Sequence, residues 1–436
     1  MKTNFMTGTM GTDELYDRFL ECGVVTTDSR HCPPGSMFVA LRGERFDGNT
    51  FALKALELGC RYAVVDANIT GEGVLRVDCG LTALQNLARM HRERLGLPVI
   101  GITGTNGKTT TKELVAAVLR KRFRTACTQG NLNNQIGVPL TLLSMTAEDE
   151  IAVVEMGASH PGDIRELVEI ALPDYGIITN VGAAHLQGFG SLEGVMRTKG
   201  ELYDFLRTRG QGTAFIRNED KRLLSMSEGL RLVRYGTADG LFVSGKAVPG
   251  TDFLRFTWTG EGGDAHEVQT KLVGAYNLDN ALAAVAVGRQ FGVDDGLICE
   301  AIEEYEPTNS RSQLKVTARN RVIVDAYNAN PTSMRAALDN FRSMSGGRKM
   351  VILGDMKELG ASSVEEHQRI AAHVGECGFE RVILVGSEFA KVAGGYETYP
   401  DAAALKEALV QSPPEGYSIL VKGSNSMKLA GIADVL

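Results

Sequence analysis

The sequence predicts an α/β protein of three domains built around a phosphate-binding loop. Short apolar runs typical of buried strands alternate with helix-like patterns along most of the 436 residues. A Gly-Leu-Pro break at 96–98 marks a domain boundary. The strand pattern at 99–102 leads through a glycine-containing turn into a helix pattern. That order of elements is the one in which a glycine–lysine loop binds phosphate.

Three units follow from these patterns. We predict a small α/β domain over 1–96, a central domain over 97–308 and a Rossmann-like domain over 309–436. The central domain is expected to hold a doubly wound, mostly parallel sheet, with an antiparallel β insertion between about 230 and 272. In the last unit, Pro331 predicts one helix start and a capping box at Ser363 predicts another. No G-x-G-x-x-G follows a strand there, which argues against a nicotinamide site.

Composition narrows the class of protein. The hydrophobic content of 43% is ordinary for a globular chain, and the net charge of −7 argues against a general nucleic-acid binder. Seven scattered cysteines form no C-x-x-C pair, which predicts free thiols in a reducing cytoplasm. No apolar run is long enough to span a membrane, and no signal peptide is recognisable.

The phosphate-binding prediction depends on the turn after the first central strand. Gly104 and Gly107 would let backbone N–H groups approach phosphate oxygens, and Lys108 would add a positive charge. The Thr109 hydroxyl is suited to hold magnesium. The usual pattern has a glycine where Ile102 stands, so a plain glycine turn is the alternative.

Three charged or titratable residues follow at spaced positions. Glu155 ends a buried strand, where a carboxylate is costly unless it is solvated, paired or metal-bound. Together with Thr109 it suggests a magnesium site, which His185 in a small-residue loop could extend, although an imidazole is an unusual magnesium ligand. A lone histidine in a loop is more often structural. From composition alone, Lys199 would be a solvated helix lysine.

Asparagines and an aspartate mark two further turns. Asn277 and Asn280 flank a helix start; capping accounts for one of them, and two carboxamides could instead read an adenine edge. Asp325 and Asn328 lie in a polar elbow after a buried strand, where Asn330 is expected to cap the next helix.

Taken together, these motifs resemble the Mur ligases over essentially the whole chain. The shared features are Gly-Thr-Asn-Gly-Lys-Thr-Thr at 104–110, Glu155, His185, Lys199 and the pair Asn277 and Asn280. The segments 27–30, 131–139, 327–331 and 354–360 resemble the D-alanyl-D-alanine-adding branch in particular. The diaminopimelate-adding relatives carry Asp-Asn-Pro-Arg late in the chain. Here only Asp-Asn-Phe-Arg occurs, at 339–342, too early and within a helix pattern, so we reject that specificity.

The resemblance implies an ATP-dependent ligase of cytoplasmic peptidoglycan precursor synthesis. Its amino-terminal domain would bind UDP-N-acetylmuramoyl-tripeptide, its central domain ATP, and its carboxy-terminal domain D-alanyl-D-alanine. The peptide bond would form through an acyl phosphate. The implied cofactors are two Mg²⁺ ions and a CO2-derived carbamate on Lys199. We expect a monomer with no nucleic-acid partner, whose domains close on ATP.

The same resemblance implies a set of site residues. The catalytic set is Lys108, Glu155, His185 and Lys199, and the metal set is Thr109, Glu155, His185 and carbamylated Lys199. The ATP-binding set is Gly104, Thr105, Asn106, Gly107, Lys108, Thr109, Thr110, Asn277, Asn280, Arg311, Asp325 and Asn328. The substrate-binding set is Ser29, Arg30, Phe46, Asn131 and Asn134. The chain departs from the family at Tyr276, where a histidine is usual, and at Ser310-Arg311, where Gly-Arg is usual.

Two other functions stay open at this level. One is a related amide ligase that adds a different amino acid, for example to folate or to the muramyl dipeptide. The other is a P-loop switch or transport ATPase. The elbow at 327–331 and the two flanking α/β domains argue against the switch, which would need partner-binding regions that the sequence does not show.

Overall fold

The computed structural model describes residues 9–210, 212–250, 252–307 and 311–436. Ser310 and the predicted boundary between 308 and 309 lie outside these residues. Mixed α/β structure runs through all of the described chain, and parallel pairing dominates its three larger sheets. The predicted fold class is therefore confirmed.

The amino-terminal part consists of a parallel sheet and three α-helices. The strands β1, β2, β5 and β6 pair in that order, while β3 and β4 form a separate antiparallel pair. A 3-10 turn at Gly48–Phe51 precedes the second helix. The elements are α1 (Thr12–Cys22), β1 (Val25–Thr26), β2 (Met37–Val39), β3 (Arg42–Gly43), β4 (Phe46–Asp47), α2 (Ala52–Glu57), β5 (Tyr62–Val65), β6 (Val74–Arg76) and α3 (Gly80–Leu95).

The central part is one nine-stranded sheet with helices on both faces. Its first strand, β7, lies between β9 and β10 and is buried along its whole length. The strands are β7 (Val99–Thr103), β8 (Thr125–Cys127), β9 (Ile151–Glu155), β10 (Tyr175–Ile178), β11 (Thr213–Arg217), β12 (Arg231–Gly236), β13 (Val243–Val248), β14 (Phe253–Gly260) and β15 (Ala265–Val273). The helices are α4 (Lys108–Arg120), α5 (Gly137–Leu143), α6 (Asp163–Ala171), α7 (Leu186–Phe189), α8 (Leu192–Thr208), α9 (Lys221–Met226), α10 (Leu278–Gln290) and α11 (Asp295–Glu304).

The antiparallel segment of this domain extends the parallel sheet at its edge. Strand β12 still pairs in parallel with β11 and with β13, whereas β14 pairs antiparallel with both β13 and β15. The sequence pattern placed the change too early, near 230, because alternation of polar and apolar residues shows exposure of one face and not strand direction.

The carboxy-terminal part is a six-stranded sheet in the order β16, β17, β21, β18, β19, β20, parallel except for β16. Its strands are β16 (Gln313–Val316), β17 (Arg321–Asp325), β18 (Arg348–Gly354), β19 (Arg381–Val385), β20 (Glu397–Tyr399) and β21 (Tyr417–Lys422). Its helices are α12 (Pro331–Ser343), α13 (Ser363–Cys377), α14 (Ser387–Ala390) and α15 (Ala402–Gln411).

The two helix starts predicted in this part have different outcomes. Pro331 opens α12, and the Asn330 side chain caps it by accepting a hydrogen bond from the Ser333 N–H at 2.9 Å. The capping box predicted at Ser363 is wrong, because Ser363 is already the first helical residue and its hydroxyl donates to the Glu388 carboxylate at 2.9 Å. No helix of the described ranges is both long and apolar enough to cross a bilayer.

Candidate active site

A cleft of about 660 Å³ is lined by residues of both the central and the carboxy-terminal parts of the chain. It is at the carboxyl ends of β7, β9, β10 and β17, where ligands of open α/β sheets bind. Its lining includes most of the residues predicted to bind ATP or metal: Thr105, Asn106, Gly107, Lys108, Thr109, Thr110, Glu155, His185, Asn277, Asn280, Arg311, Asp325 and Asn328.

The phosphate-loop candidate has the shape that the glycine pattern predicts. Gly104 and Gly107 have φ angles of +143° and +81°, in a region that L side chains rarely adopt. A Cβ at Gly104 would lie 1.9 Å from the Thr179 hydroxyl oxygen. The Asn180 carboxamide holds the loop from the next strand: it accepts from the Asn106 N–H at 3.0 Å and donates to the Asn106 carbonyl at 2.9 Å. The loop ends at the first turn of α4, where N–H groups can receive an anion.

Lys108 lies inside this loop. Its ammonium group donates to the carbonyls of Gly104 at 2.8 Å and Thr105 at 3.2 Å. Desolvation lowers the pKa of Lys108; the Glu155 carboxylate opposes that shift, and the positive charge of Arg311 adds to it. Lys108 and Arg311 therefore place two cationic side chains, one from each domain, beside the same cleft.

Thr109 and Glu155 meet as predicted. The Thr109 hydroxyl donates to Glu155 Oε2 at 2.8 Å, and the two residues are 5% and 1% exposed. The second oxygen, Oε1, accepts from Asn133 Nδ2 at 2.7 Å. A hydroxyl and a carboxylate are oxygen donors of the kind that Mg²⁺ prefers, so this pair fits a magnesium ion.

Sequence reasoning missed Asn133. It singled out Asn131 and Asn134 of the same segment, but Asn131 is exposed and outside the cleft lining. Asn134 reaches the cleft rim, yet its carboxamide oxygen accepts from the Gly137 N–H at 2.9 Å at the start of α5. The sequence does not distinguish the three asparagines of this segment, because they are the same residue type at neighbouring positions. Only the path of the backbone decides which one faces Glu155.

Lys199 is buried within α8, with 2% of its surface exposed. The solvated-lysine alternative is therefore wrong. Desolvation lowers its pKa well below the usual value and repulsion from Lys108 adds to this, while the carboxylates of Asp163 and Glu201 oppose it. An amine in this setting is neutral far more often than an ordinary lysine.

His185 joins the two domains. Its backbone is left-handed, with φ +51°, and its Nδ1 contacts the carboxylate of Glu358 from the carboxy-terminal domain. Glu358 is also left-handed, with φ +65°, and its carbonyl accepts from the Gln187 N–H at 3.3 Å. Burial lowers the pKa of His185; Glu358 opposes the shift, while Lys108 and Lys199 add to it. Burial therefore favours the neutral imidazole over the imidazolium form.

The side chains of Asn277 and Asn280 link α10 to α4 beside the loop. Asn280 Oδ1 accepts from the Thr111 hydroxyl of α4 at 3.0 Å, and its Nδ2 donates to Asn277 Oδ1 at 2.9 Å. Asn277 Nδ2 donates to the Val273 carbonyl at 2.9 Å. The capping explanation fails for Asn277, since its side chain accepts no N–H of α10.

The carboxy-terminal side of the cleft holds a buried ion pair. Asp325 Oδ2 accepts from Lys422 Nζ at 2.6 Å, and Lys422, only 2% exposed, also donates to the Asn328 carbonyl at 3.3 Å. The guanidinium carbon of Arg311 lies 3.9 Å from the centroid of the Tyr327 ring. The Nε atom of Arg311 is buried without a hydrogen-bond partner in the described chain. Lys422 was not among the predicted site residues; its position at the end of an apolar strand was the available signal.

Two side-chain hydrogen bonds link the loop directly to the other domain, and the longer of them runs from Asn106 Nδ2 to Asn330 Oδ1 at 3.5 Å. Asn330 Nδ2 donates to Asn106 Oδ1 at 2.7 Å, although the two residues are 224 positions apart. The residue that caps α12 thus also contacts the phosphate-loop candidate.

The predicted residues of the amino-terminal domain are outside this cleft. Ser29, Arg30 and Phe46 are absent from its lining. The Arg30 guanidinium pairs with Asp28 at 2.8 Å, and Phe46 is 59% exposed. Their role in substrate binding stays a prediction.

Family models match almost all of the chain. The Mur ligase middle domain matches residues 102–288, the Mur ligase glutamate ligase domain residues 310–425, and the Mur ligase family catalytic domain residues 22–100. The chain is also 35% identical, over 437 residues, to the UDP-N-acetylmuramoyl-tripeptide--D-alanyl-D-alanine ligase of Bacillus subtilis, covering 94% of this chain and 92% of that relative. The chain belongs to the Mur ligase family.

Solved structures of this family are similar over the full length. MurF from Acinetobacter baumannii is 31% identical with a TM-score of 0.87, and the match covers 98% of this chain and 99% of that one. MurF ligase from Thermotoga maritima, solved in complex with ADP, is 26% identical with a TM-score of 0.85, covering 96% and 97%. The likeness therefore extends over the amino-terminal, central and carboxy-terminal parts of the chain.

Proposed function

We propose that this Mur ligase joins D-alanyl-D-alanine to UDP-N-acetylmuramoyl-tripeptide, with ATP as the energy source, in cytoplasmic peptidoglycan precursor synthesis. The observation that carries this proposal is the 35% identity to a ligase of that name over 94% of the chain. The cleft supports it, because its lining combines a phosphate loop, a buried carboxylate and cations from two domains. The proposed division of labour assigns 1–96 to the UDP-sugar peptide, 97–308 to ATP and 309–436 to the dipeptide, in a monomer.

The reaction has two chemical steps. The terminal carboxylate of the tripeptide attacks the γ-phosphorus of ATP, so that an acyl phosphate forms and ADP leaves. The amine of D-alanyl-D-alanine then attacks the acyl carbon, and inorganic phosphate leaves with the formation of the amide. Backbone N–H groups of the loop and the Lys108 ammonium would stabilise the negative charge of the transferred phosphoryl group, with Arg311 contributing from the opposite side.

Thr109 and Glu155 are the proposed ligands of one Mg²⁺ ion, and His185 and carbamylated Lys199 would serve a second. Bound magnesium would neutralise charge on the phosphate oxygens. The fit is best for Thr109 and Glu155, whose oxygens are 2.8 Å apart and buried. An unmodified Lys199 supplies no oxygen, and this is the chemical reason for the carbamate.

The Lys199 carbamate has its own test. Only a neutral amine attacks CO2, and burial with repulsion from Lys108 favours the neutral form. Lys199→Ala should abolish turnover, and short carboxylic acids should restore part of it. Arg197→Ala, an exposed change on the same helix, is the matched control. Isotope-labelled bicarbonate should give a carbamate signal by NMR in the wild type and in Arg197→Ala but not in Lys199→Ala, and a Lys199→Ala enzyme with full activity would contradict the role.

The remaining predicted residues keep their proposed roles. Asn277 and Asn280 would present carboxamide edges to adenine, and Asp325 and Asn328 would complete the nucleotide site from the other domain. Ser29, Arg30, Phe46, Asn131 and Asn134 would contact the UDP-linked peptide. Asn131 is exposed, and Asn134 also accepts a hydrogen bond at the start of α5.

One assay tests the whole proposal. Purified enzyme receives ATP, magnesium and the UDP-linked tripeptide, with either L-lysine or meso-diaminopimelate at the third position, and phosphate release is measured with and without D-alanyl-D-alanine. The expected result is release that depends on the dipeptide, with one amide formed per phosphate. Release that ignores the dipeptide would refute the ligase, and faster turnover with a free amino acid would favour a different amide ligase. Lys108→Ala serves as the inactive control.

A further inference from the structure

A cluster of three metal-ligating side chains lies on the carboxy-terminal domain, away from the cleft. Asp339 is on α12, and His373 and Cys377 are on α13. The two helices pack through apolar residues that include Leu338, Phe341, Ile370 and Val374. His373 and Cys377 are four positions apart, so they project from the same face of α13. The cluster therefore has a rigid base, since two of its members share one helix and the third faces them from a packed neighbour.

The side-chain atoms already converge. His373 Nε2 is 2.6 Å from Asp339 Oδ1 and 3.9 Å from Cys377 Sγ, and the three ligand atoms all lie within 4.8 Å of one another. Ligands of a tetrahedral zinc ion, bound at about 2.0–2.3 Å, lie roughly 3.2–3.8 Å apart. The imidazole and the thiol are already near that separation. The exposed Asp339 carboxylate needs to turn away by less than about 1 Å, which its free χ angles permit.

We propose that Asp339, His373 and Cys377 form a binding site for Zn²⁺, with water as the fourth ligand. A thiolate, an imidazole and a carboxylate are the donors that zinc takes, whereas Mg²⁺ and Ca²⁺ prefer oxygen alone. The two anionic ligands would balance the charge of the ion. This site is separate from the proposed ligase chemistry and does not depend on it.

A fourth residue, Glu376, contacts the other ring nitrogen of His373. Glu376 Oε2 is 3.4 Å from His373 Nδ1, on the ring side opposite to the ligand nitrogen. Metal-bound histidines commonly donate their other ring N–H to a carboxylate in this way, which fixes the tautomer and orients the ring.

Zinc at this position would fasten α12 to α13. The first residue before α12, Asn330, contacts the phosphate-loop candidate through Asn106. The segment before α13 carries Glu358, which contacts His185. A metal link between the two helices would thus stabilise the part of the domain that forms one wall of the cleft.

Metal titration of the full-length protein tests the site. Chelator-treated protein, kept in excess Mg²⁺ and ADP to occupy the nucleotide site, is titrated with Co²⁺ as a spectroscopic probe and then with Zn²⁺. We expect one Co²⁺ per chain with a sulfur-to-cobalt charge-transfer band, displacement by Zn²⁺, and a rise of the melting temperature with Zn²⁺. Cys377→Ser should abolish the band and weaken Zn²⁺ binding by more than about tenfold.

Two further variants separate a site from general thiol binding. Asp339→Asn, a change of an exposed side chain, should weaken Zn²⁺ binding without affecting the fold. Cys79→Ser removes an exposed cysteine outside the cluster and should leave binding and spectrum unchanged. A charge-transfer band that persists in folded Cys377→Ser, or a wild-type protein that binds no stoichiometric Zn²⁺ in the presence of Mg²⁺, would overturn the proposal.

Discussion

Replacing Asn133 with alanine tests the geometry around the buried carboxylate. Asn133 Nδ2 donates to Glu155 Oε1 at 2.7 Å, and Glu155 is 1% exposed, so its carboxylate is oriented by protein donors. A hydrogen bond to a charged group contributes about 1.5–3 kcal/mol. If the active geometry of Glu155 depends on this hydrogen bond, losing its contribution to the transition state corresponds to a decrease in kcat/KM of roughly 10- to 150-fold.

The control is Asn131→Ala in the same segment. Asn131 is exposed and does not line the cleft within the described chain, so its removal should change stability by less than about 0.5 kcal/mol. The backbone bond from the Gly157 N–H to the Asn133 carbonyl, at 2.6 Å, is retained in both variants. A difference in magnesium requirement between the two variants therefore results from the loss of the Asn133 side chain and not from a change in the backbone.

Steady-state kinetics at several magnesium concentrations, combined with urea unfolding, provide the assay. Asn133→Ala should need more magnesium for half-maximal rate, because Glu155 loses the group that orients its carboxylate. Two outcomes would refute the reasoning: Asn133→Ala within twofold of wild type in both kcat/KM and magnesium requirement, or Asn131→Ala with as large an increase in magnesium requirement as Asn133→Ala.

Three other changes test separate contacts. Glu358→Gln removes the charge beside His185 and should lower kcat without changing the urea midpoint, because Glu358 is on the surface of its own domain; equal losses in both would argue for a structural role. Asp325→Ala leaves the Lys422 ammonium buried without its partner and should lower the free energy of unfolding by about 3–5 kcal/mol, while Asp325→Asn should lower it less, as urea unfolding will show. Burial lowers the pKa of His367 in the folded state, so the unfolded chain binds the extra proton first and stability should fall as pH drops below about 6.5. His367→Gln should reduce that slope by at most about one proton, or about 1.4 kcal/mol per pH unit, and an unchanged slope would contradict the shift.

The sequence alone was sufficient where local pattern decides structure. The turn from β7 into α4 and the cap of α12 by Asn330 depend on residues a few positions apart, which a linear pattern reports directly. Alternating strand and helix patterns were likewise enough for the fold class. The parallel pairing of β12 could not be predicted from the sequence, because exposure of one face carries no information on strand direction.

The tertiary structure decided what long-range packing controls. Lys199 looked like a solvated helix lysine, and only its burial beside Lys108 explains why its pKa lies well below the usual value. Asn133 rather than Asn131 reaches Glu155, since the direction of each side chain follows from the fold of the segment. Glycine turns and helix caps depend on residues that are close together in the sequence. The burial of a site residue and the charges around it depend on segments that come into contact only when the whole chain has folded.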